Sequence, residues 1–280
     1  TDTAYMLTLT REYDPFFETE SNSSEETADG FALNSSISGA LTAFSGAADE
    51  DMFRLQIVQP GYIKIGFSVP AGDKEENSWH ISLRTSDGKK IWENRAASKT
   101  GALQSPPVGV DTGSYYIVVD NNSLYKNNAV YTLTNEFTAT SGWEREFNGS
   151  ASTADPIIKD VGINGTVVDC EAEFDDDYFT FTLSQPAVVR VILSHDILTG
   201  SKEIFTVSVL NASPGAVSLF DEQSGSLLTD AAGRAVTSFS SYADTANAYG
   251  SYALNAGTYY IKVTSGTFSS DVRYLLNITY

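Results

Sequence analysis

Apolar and polar residues alternate with a period of two over several short stretches of the chain. Phe53-Arg54-Leu55-Gln56-Ile57 and Phe179-Thr180-Phe181-Thr182-Leu183 place their large apolar side chains on one side of an extended backbone, as do Tyr62-Ile63-Lys64-Ile65-Gly66-Phe67 and Val189-Arg190-Val191-Ile192-Leu193. One face of each predicted strand is core and the other is wet. Pro60-Gly61 and Asp87-Gly88 are turn signals between such runs, and Gly113 and Gly257 stand just before the most hydrophobic strands. No stretch carries a 3.6-residue period; residues 24–29 could form one helical turn at most. Short strands with regular turn punctuation predict an all-β chain of two tandem antiparallel β-sandwich domains, jelly-roll-like in type.

Two domains follow from an internal repeat. Residues 5–60 align with residues 131–186 at a constant spacing of 126 and without a gap, matching Tyr5 to Tyr131, Glu18 to Glu144, Glu20 to Glu146, Asn22 to Asn148, Asp29 to Asp155, Gly39 to Gly165, Asp49 to Asp175, Asp51 to Asp177 and Phe53 to Phe179. A period this long marks a duplicated folding unit. Ile81-Ser82-Leu83 is matched to Val217-Ser218-Leu219 at 136, and the Gly113-Ser114-Tyr115-Tyr116-Ile117 run to Gly257-Thr258-Tyr259-Tyr260-Ile261 at 144. The second copy is therefore expected to hold two insertions, around 194–214 and 232–252. Tyr5-Met6-Leu7-Thr8-Leu9 resembles the closing strands at Tyr131 and Tyr274, so residues 1–10 read as the last strand of a preceding or neighbouring unit, with 11–137 and 138–280 as the two sandwiches.

The chain has 36 acidic and 17 basic residues and a formal charge of −19, which disfavours nucleic acid and anionic membranes and favours cations. No apolar run approaches the roughly 18 residues of a membrane span, and no signal-peptide pattern is present, so membrane insertion is not expected. A single cysteine, Cys170, excludes an intrachain disulfide and reads as a buried apolar residue. His80 and His195 stand in no triad or zinc motif and read as surface residues. Nothing here supports catalysis.

In an extended segment Glu18, Glu20 and Asn22 project to one side, and Glu144, Glu146 and Asn148 do the same. A hard cation such as calcium takes six to eight oxygen ligands, so a second acidic group is needed; Asp49 with Asp51, and Asp175 with Asp177, supply it. The bland alternative is a set of solvated loop acids. Against that stands their retention at one spacing in both copies, and one Ca2+ per domain is the expectation.

The order E-x-E-x-N, Ala-Asp, a Ser-Gly or Asn-Gly turn, an Asp-rich step into an aromatic strand, G-x-Y-Y-I-x-V and a closing Y-x-L strand resembles the bacterial pre-peptidase C-terminal domain family, which includes the collagen-binding domains of clostridial collagenases. The resemblance spans nearly the whole chain, twice. It implies a non-catalytic β-sandwich of secreted or cell-surface proteins, with calcium between the segment before the first strand and the Asp-rich turn, and Ser38 and Asn164 as further contributors. The chain departs from the pattern at Ser23 and Gly149, where the family often has an acid after the Asn.

Aromatics outside the strand pattern give a weaker second set of candidates, Trp79, Trp92, Tyr242, Tyr249 and Tyr252, as platforms for an extracellular protein or polysaccharide. Two function classes result. The leading one is a calcium-stabilised, non-catalytic module pair acting as spacer, adhesive element or targeting appendage. The other is a self-assembling extracellular subunit linked by donation of the strand in residues 1–10. Asn22, Asn148 and Asn164 also lie in glycosylation sequons, a use that excludes ligation of a cation.

Overall fold

The structure is a computed structural model and describes residues 6–8, 10, 14–41, 49–70, 77–97, 101–120, 129–168, 175–211, 238–265 and 272–280. Among these there is no helix. The first half contributes β1 (Asp29–Gly30), β2 (Ser36–Gly39), β3 (Glu50–Ile57), β4 (Gly61–Ser68), β5 (Asn77–Thr85), β6 (Lys90–Ala97), β7 (Ala102–Gln104), β8 (Val108–Val110), β9 (Gly113–Asp120) and β10 (Tyr131–Ala139). The second contributes β11 (Asp155–Pro156), β12 (Ile163–Thr166), β13 (Asp176–Leu183), β14 (Ala187–His195), β15 (Glu203–Asn211), β16 (Ser238–Tyr242), β17 (Asn247–Leu254), β18 (Gly257–Ser265) and β19 (Arg273–Thr279).

Each half forms two facing sheets with the same strand order. The first pairs β1-β3-β9-β5-β6 with β2-β10-β4-β7, β8 also pairing with β4; the second pairs β11-β13-β18-β15-β16 with β12-β19-β14-β17. All strand pairs are antiparallel except the short β1/β3 and β11/β13 contacts, which run parallel. Phe53, Leu55 and Ile57 of β3 face Ile63, Ile65 and Phe67 of β4 across the first core, while Arg54 and Gln56 point to solvent. Burying side chains of this size stabilises by about 1.5–3 kcal/mol each. Phe179, Phe181 and Leu183 with Val189, Val191 and Leu193 repeat the arrangement. Among the described residues, 6–8 and 10 pair with no strand, and Met6 and Leu7 are exposed.

The strands revise the alignment beyond Pro60. Ile81 of β5 pairs with Val119, and Val207 of β15 pairs with Val263, so β15 is the counterpart of β5 at the unbroken spacing of 126. The match to residues 217–219 is therefore incorrect, and Ser194 to Asn211 is not an insertion. The added residues fall between Asn211 and Ser238, and 212–237 lie outside the described residues, as does Cys170. Tyr242, Tyr249 and Tyr252 are in β16 and β17 rather than in an inserted loop.

Trp79, Trp92 and Tyr252 are buried in the cores and present no ring face to a ligand. Trp79 continues the alternation of Ile81 and Leu83 and packs against Phe67 and Tyr131, at 5.5 and 5.6 Å between ring centroids. Tyr242 and Tyr249 are exposed, with the Arg190 guanidinium 4.0 Å over the Tyr249 ring. The two histidines, expected at the surface, are both buried. His80 lies between Asp120 and Glu93, at 2.9 and 2.8 Å, and the Asp120 bond chiefly raises its pKa. His195 bonds the Asp196 carbonyl and the Ser241 hydroxyl.

The halves are joined by an ordered interface. The Tyr62 ring meets Trp143 at 4.5 Å, and the Thr166 hydroxyl donates to the Pro107 carbonyl at 2.6 Å. The Lys89 ammonium stands 3.5 Å over the Phe147 ring, and Val168 is part of the first half's apolar cluster.

Candidate metal centre

Strand alternation carries the acids into the interior. Asp51 continues the inward face of Phe53, Leu55 and Ile57, and Asp177 that of Phe179, Phe181 and Leu183, so each carboxylate caps the end of a core. The entrance segment comes from the other side. Phe17 and Trp143 form parallel bridges to Ser38 and Asn164, with Glu18 N–H donating to the Ser38 carbonyl and Glu144 N–H to that of Asn164, both at 2.9 Å. The chain then turns along β3 or β13, where the Asn22 carbonyl accepts from Met52 N–H and the Asn148 carbonyl from Tyr178 N–H. A peptide in the cis form follows the second glutamate in each copy, at Glu20-Ser21 and Glu146-Phe147.

Oxygens of Glu18, Glu20 and Asp51 converge within 4.8 Å of one another, and those of Glu144, Glu146 and Asp177 do the same. Asn22 and Asn148 are fully buried beside them, and Asp49 and Asp175 are close enough to raise the proton affinity of the neighbouring carboxylates. Three of the six residues expected in each copy thus converge through their carboxylate oxygens, and two more, the asparagine and the first aspartate, stand near them. The sixth does not. Asn164 Oδ1 accepts from the Arg273 guanidinium and its amide donates to the Gly142 carbonyl. Ser38 and Asn164 face away because the next residues, Gly39 and Gly165, face the cluster: a Cβ on either would overlap the tyrosine hydroxyl and the Glu18 or Glu144 carboxylate. Burial of Asn22 and Asn148 also removes both from use as glycan acceptors in the folded chain.

Three contributors escaped the sequence reading of the acids. Tyr131 Oη lies 2.5 Å from Asp51 and 3.1 Å from Glu18, and Tyr274 Oη lies 2.6 Å from Asp177 and 2.7 Å from Glu144. Each phenol oxygen thus stands between two carboxyl groups, with one proton to donate and a lone pair to accept from a protonated carboxyl. Asp29 and Asp155 brace the entrance segment by accepting from the backbone N–H of Thr19 and Arg145. The glycines provide the space. All three belong to matched positions of the repeat or its closing strand, and that match was the available signal.

Several buried atoms in the clusters have no protein partner: Asn22 Oδ1 and Asp51 Oδ1 in the first, and Asn148 Oδ1, Asp177 Oδ1 and Glu146 Oε1 in the second. Buried polar atoms are paired in the great majority of cases, and these unpartnered oxygens recur at matched positions, Asn22 with Asn148 and Asp51 with Asp177, where they are open to a positive partner. The donor set is all oxygen, with no sulfur or imidazole, and it suits a hard cation. Each cluster joins both sheets and the entrance segment, so an ion there would tie three elements together.

Burial, followed by the Glu18 charge, pushes the Asp51 carboxyl up to about 9. Burial likewise raises Glu18, Glu144, Glu146 and Asp177, with repulsion from Asp177 next for Glu144 and from Asp175 next for the other two of the second cluster. The folded chain without a cation therefore holds more protons than the unfolded chain between about pH 4 and the raised values, and stability falls as pH rises through that window. Melting in chelator is expected to move to lower temperature from about pH 5 to about pH 9. Cation binding should release protons, read as a dependence of binding heat on the ionisation enthalpy of the buffer.

The fold and its clusters define a tandem pair of β-sandwiches with a buried carboxylate-tyrosine centre in each. No family model matches the chain, and no curated protein matches it. Among solved structures it is similar to the pre-peptidase C-terminal domain of a collagenase from Bacillus anthracis, at 15% identity and a TM-score of 0.31, over 39% of this chain and 94% of that one. It is also similar to the CBM22-1–CBM22-2 tandem of Xyn10C from Paenibacillus barcinonensis (10% identity, TM-score 0.27, 88% of this chain and 90% of that one) and to the ANXUR1 extracellular domain of Arabidopsis thaliana (10%, 0.24, 88% and 89%).

Proposed function

We propose that the chain is a non-catalytic pair of extracellular modules, that each acidic cluster binds one calcium ion, and that the ion at the second cluster stiffens the junction, making the pair a spacer within a larger secreted or surface protein. The observation that carries this reading is the duplicated set of buried, unpartnered carboxylate and amide oxygens. Calcium is favoured over magnesium because each site offers three converging carboxylates and an unpartnered buried amide oxygen in an irregular arrangement, where magnesium demands a near-octahedral shell and keeps its waters. The second cluster belongs to the segment that leaves β10, and Trp143 from that segment packs against Tyr62 of the first sandwich, the rings tilted by 43°. An ion held by Glu144 and Glu146 would therefore fix the exit of one module relative to the next.

Small-angle scattering of the chain in calcium and in chelator tests this. The expected result is a larger or broader distribution of dimensions in chelator, returning to one compact profile with calcium; identical profiles count against the spacer role.

A further inference from the structure

We propose that Thr166 couples docking of the two sandwiches to cation binding at the second cluster, an inference that rests on the calcium reading above. Thr166 is fully buried and makes two bonds of opposite purpose. Its N–H donates to Glu144 Oε1 at 2.6 Å, holding a ligand carboxylate, and its hydroxyl donates to the Pro107 carbonyl of the first sandwich at 2.6 Å. The first copy has only half of this device. Ala40 stands at the matching position, its N–H donating to Glu18 Oε1 at 2.5 Å, and it has no hydroxyl to reach a neighbouring unit.

The first sandwich also presses on the same ligand from another side. A Cβ on Gly109 would overlap the Glu144 carbonyl and lie 3.2 Å from its Cγ, so the first sandwich's backbone is in direct contact with Glu144. Lys89 and Phe147 close the flank beside Glu146, which is buried, whereas its counterpart Glu20 is exposed. Glu144 is thus positioned jointly by β12 of its own sandwich and by the docked neighbour. Linkage then requires that docking strengthen cation binding here and that the cation strengthen docking by the same factor. The first cluster lacks that bond. Thr166 is a positioning residue, acting on the ion through Glu144.

The test uses the full chain carrying Asp51→Asn, so that calcium heats report the second cluster. Thr166→Ala is expected to weaken calcium binding about fivefold, the worth of one ordinary buried hydrogen bond, and Thr166→Ser to stay near the parent. Thr166→Val, which keeps the branched side chain without the hydroxyl, carries the same expectation as alanine. Scattering should show that the alanine and valine variants need about fivefold more calcium than the serine variant to reach the same compact profile. Parent affinity in both hydroxyl-free variants, or an equal loss of melting temperature in calcium and chelator with no change in affinity, overturns the coupling. No calcium binding by the Asp51→Asn chain while the unsubstituted chain binds one ion overturns the second site itself; no binding by either overturns the calcium reading beneath it.

Discussion

Asp177→Asn is expected to melt higher than the parent chain in chelator and lower than it in calcium. The two effects have separate causes. Without a cation, Asp177 is a fully buried carboxylate whose Oδ1 has no partner, beside Glu144 and within reach of the Asp175 charge. An asparagine still accepts from Tyr274 and carries no charge to desolvate, so the cation-free fold gains, and gains more as pH rises toward the range where the acid would ionise. With calcium present the same change deletes a ligand. An ion at a hundredfold excess over its dissociation constant contributes about 2.7 kcal/mol, and losing that share at one site corresponds to roughly 5–10 °C for a unit of this size. Scanning calorimetry in the two conditions reads both signs. A variant that melts lower in both conditions assigns Asp177 an ordinary structural role.

Gly165→Ala is the second large effect. Gly165 faces Glu144 Oε2 and Tyr274 Oη so closely that a methyl group overlaps both, and Tyr274 is itself wedged between Phe179 and Phe205. Neither neighbour has room to retreat. Overpacking together with displacement of the tyrosine-carboxylate bonds should cost about 2–5 kcal/mol, and the calcium response should disappear with it. Gly39→Ala carries the same expectation at the first cluster. Gly149→Ala is the control, since its Cβ would meet only the Asp176 carbonyl at an ordinary 3.5 Å. Denaturant melts of the three variants give the comparison, and a mild Gly165→Ala would mean that the cluster is looser than its geometry indicates.

What was legible in the sequence follows from period. Alternation alone marked β3, β4, β13 and β14, and the constant spacing of 126 marked every acid that the fold later gathers. The errors came where a local rule was applied one residue off or not far enough. Ser38 and Asn164 are polar and adjacent to the site, yet in a strand adjacent residues face opposite ways, and the unremarkable Gly39 and Gly165 are the ones that face inward. Trp79 read as a free aromatic because the run Trp79-His80-Ile81-Ser82-Leu83 was not extended back from Ile81; in the fold it is core, and His80 occupies the other side of the sheet between two acids. The misplaced insertion had a similar origin. Val207-Ser208-Val209 and Val217-Ser218-Leu219 are near-equivalent as strand text, and only the pairing of β15 with β18 decides between them. The bridging role of Tyr131 and Tyr274 was out of reach of any local pattern. It depends on a closing strand passing under carboxylates 80 and 97 residues away in the chain.

The most direct test of the central claim is calorimetric titration of the full chain with calcium at neutral pH. Two ions per chain are expected, with Asp51→Asn and Asp177→Asn each reducing the count to one and the double substitution to none. A titration without binding heat, together with a melting temperature that neither calcium nor chelator moves, would contradict the account.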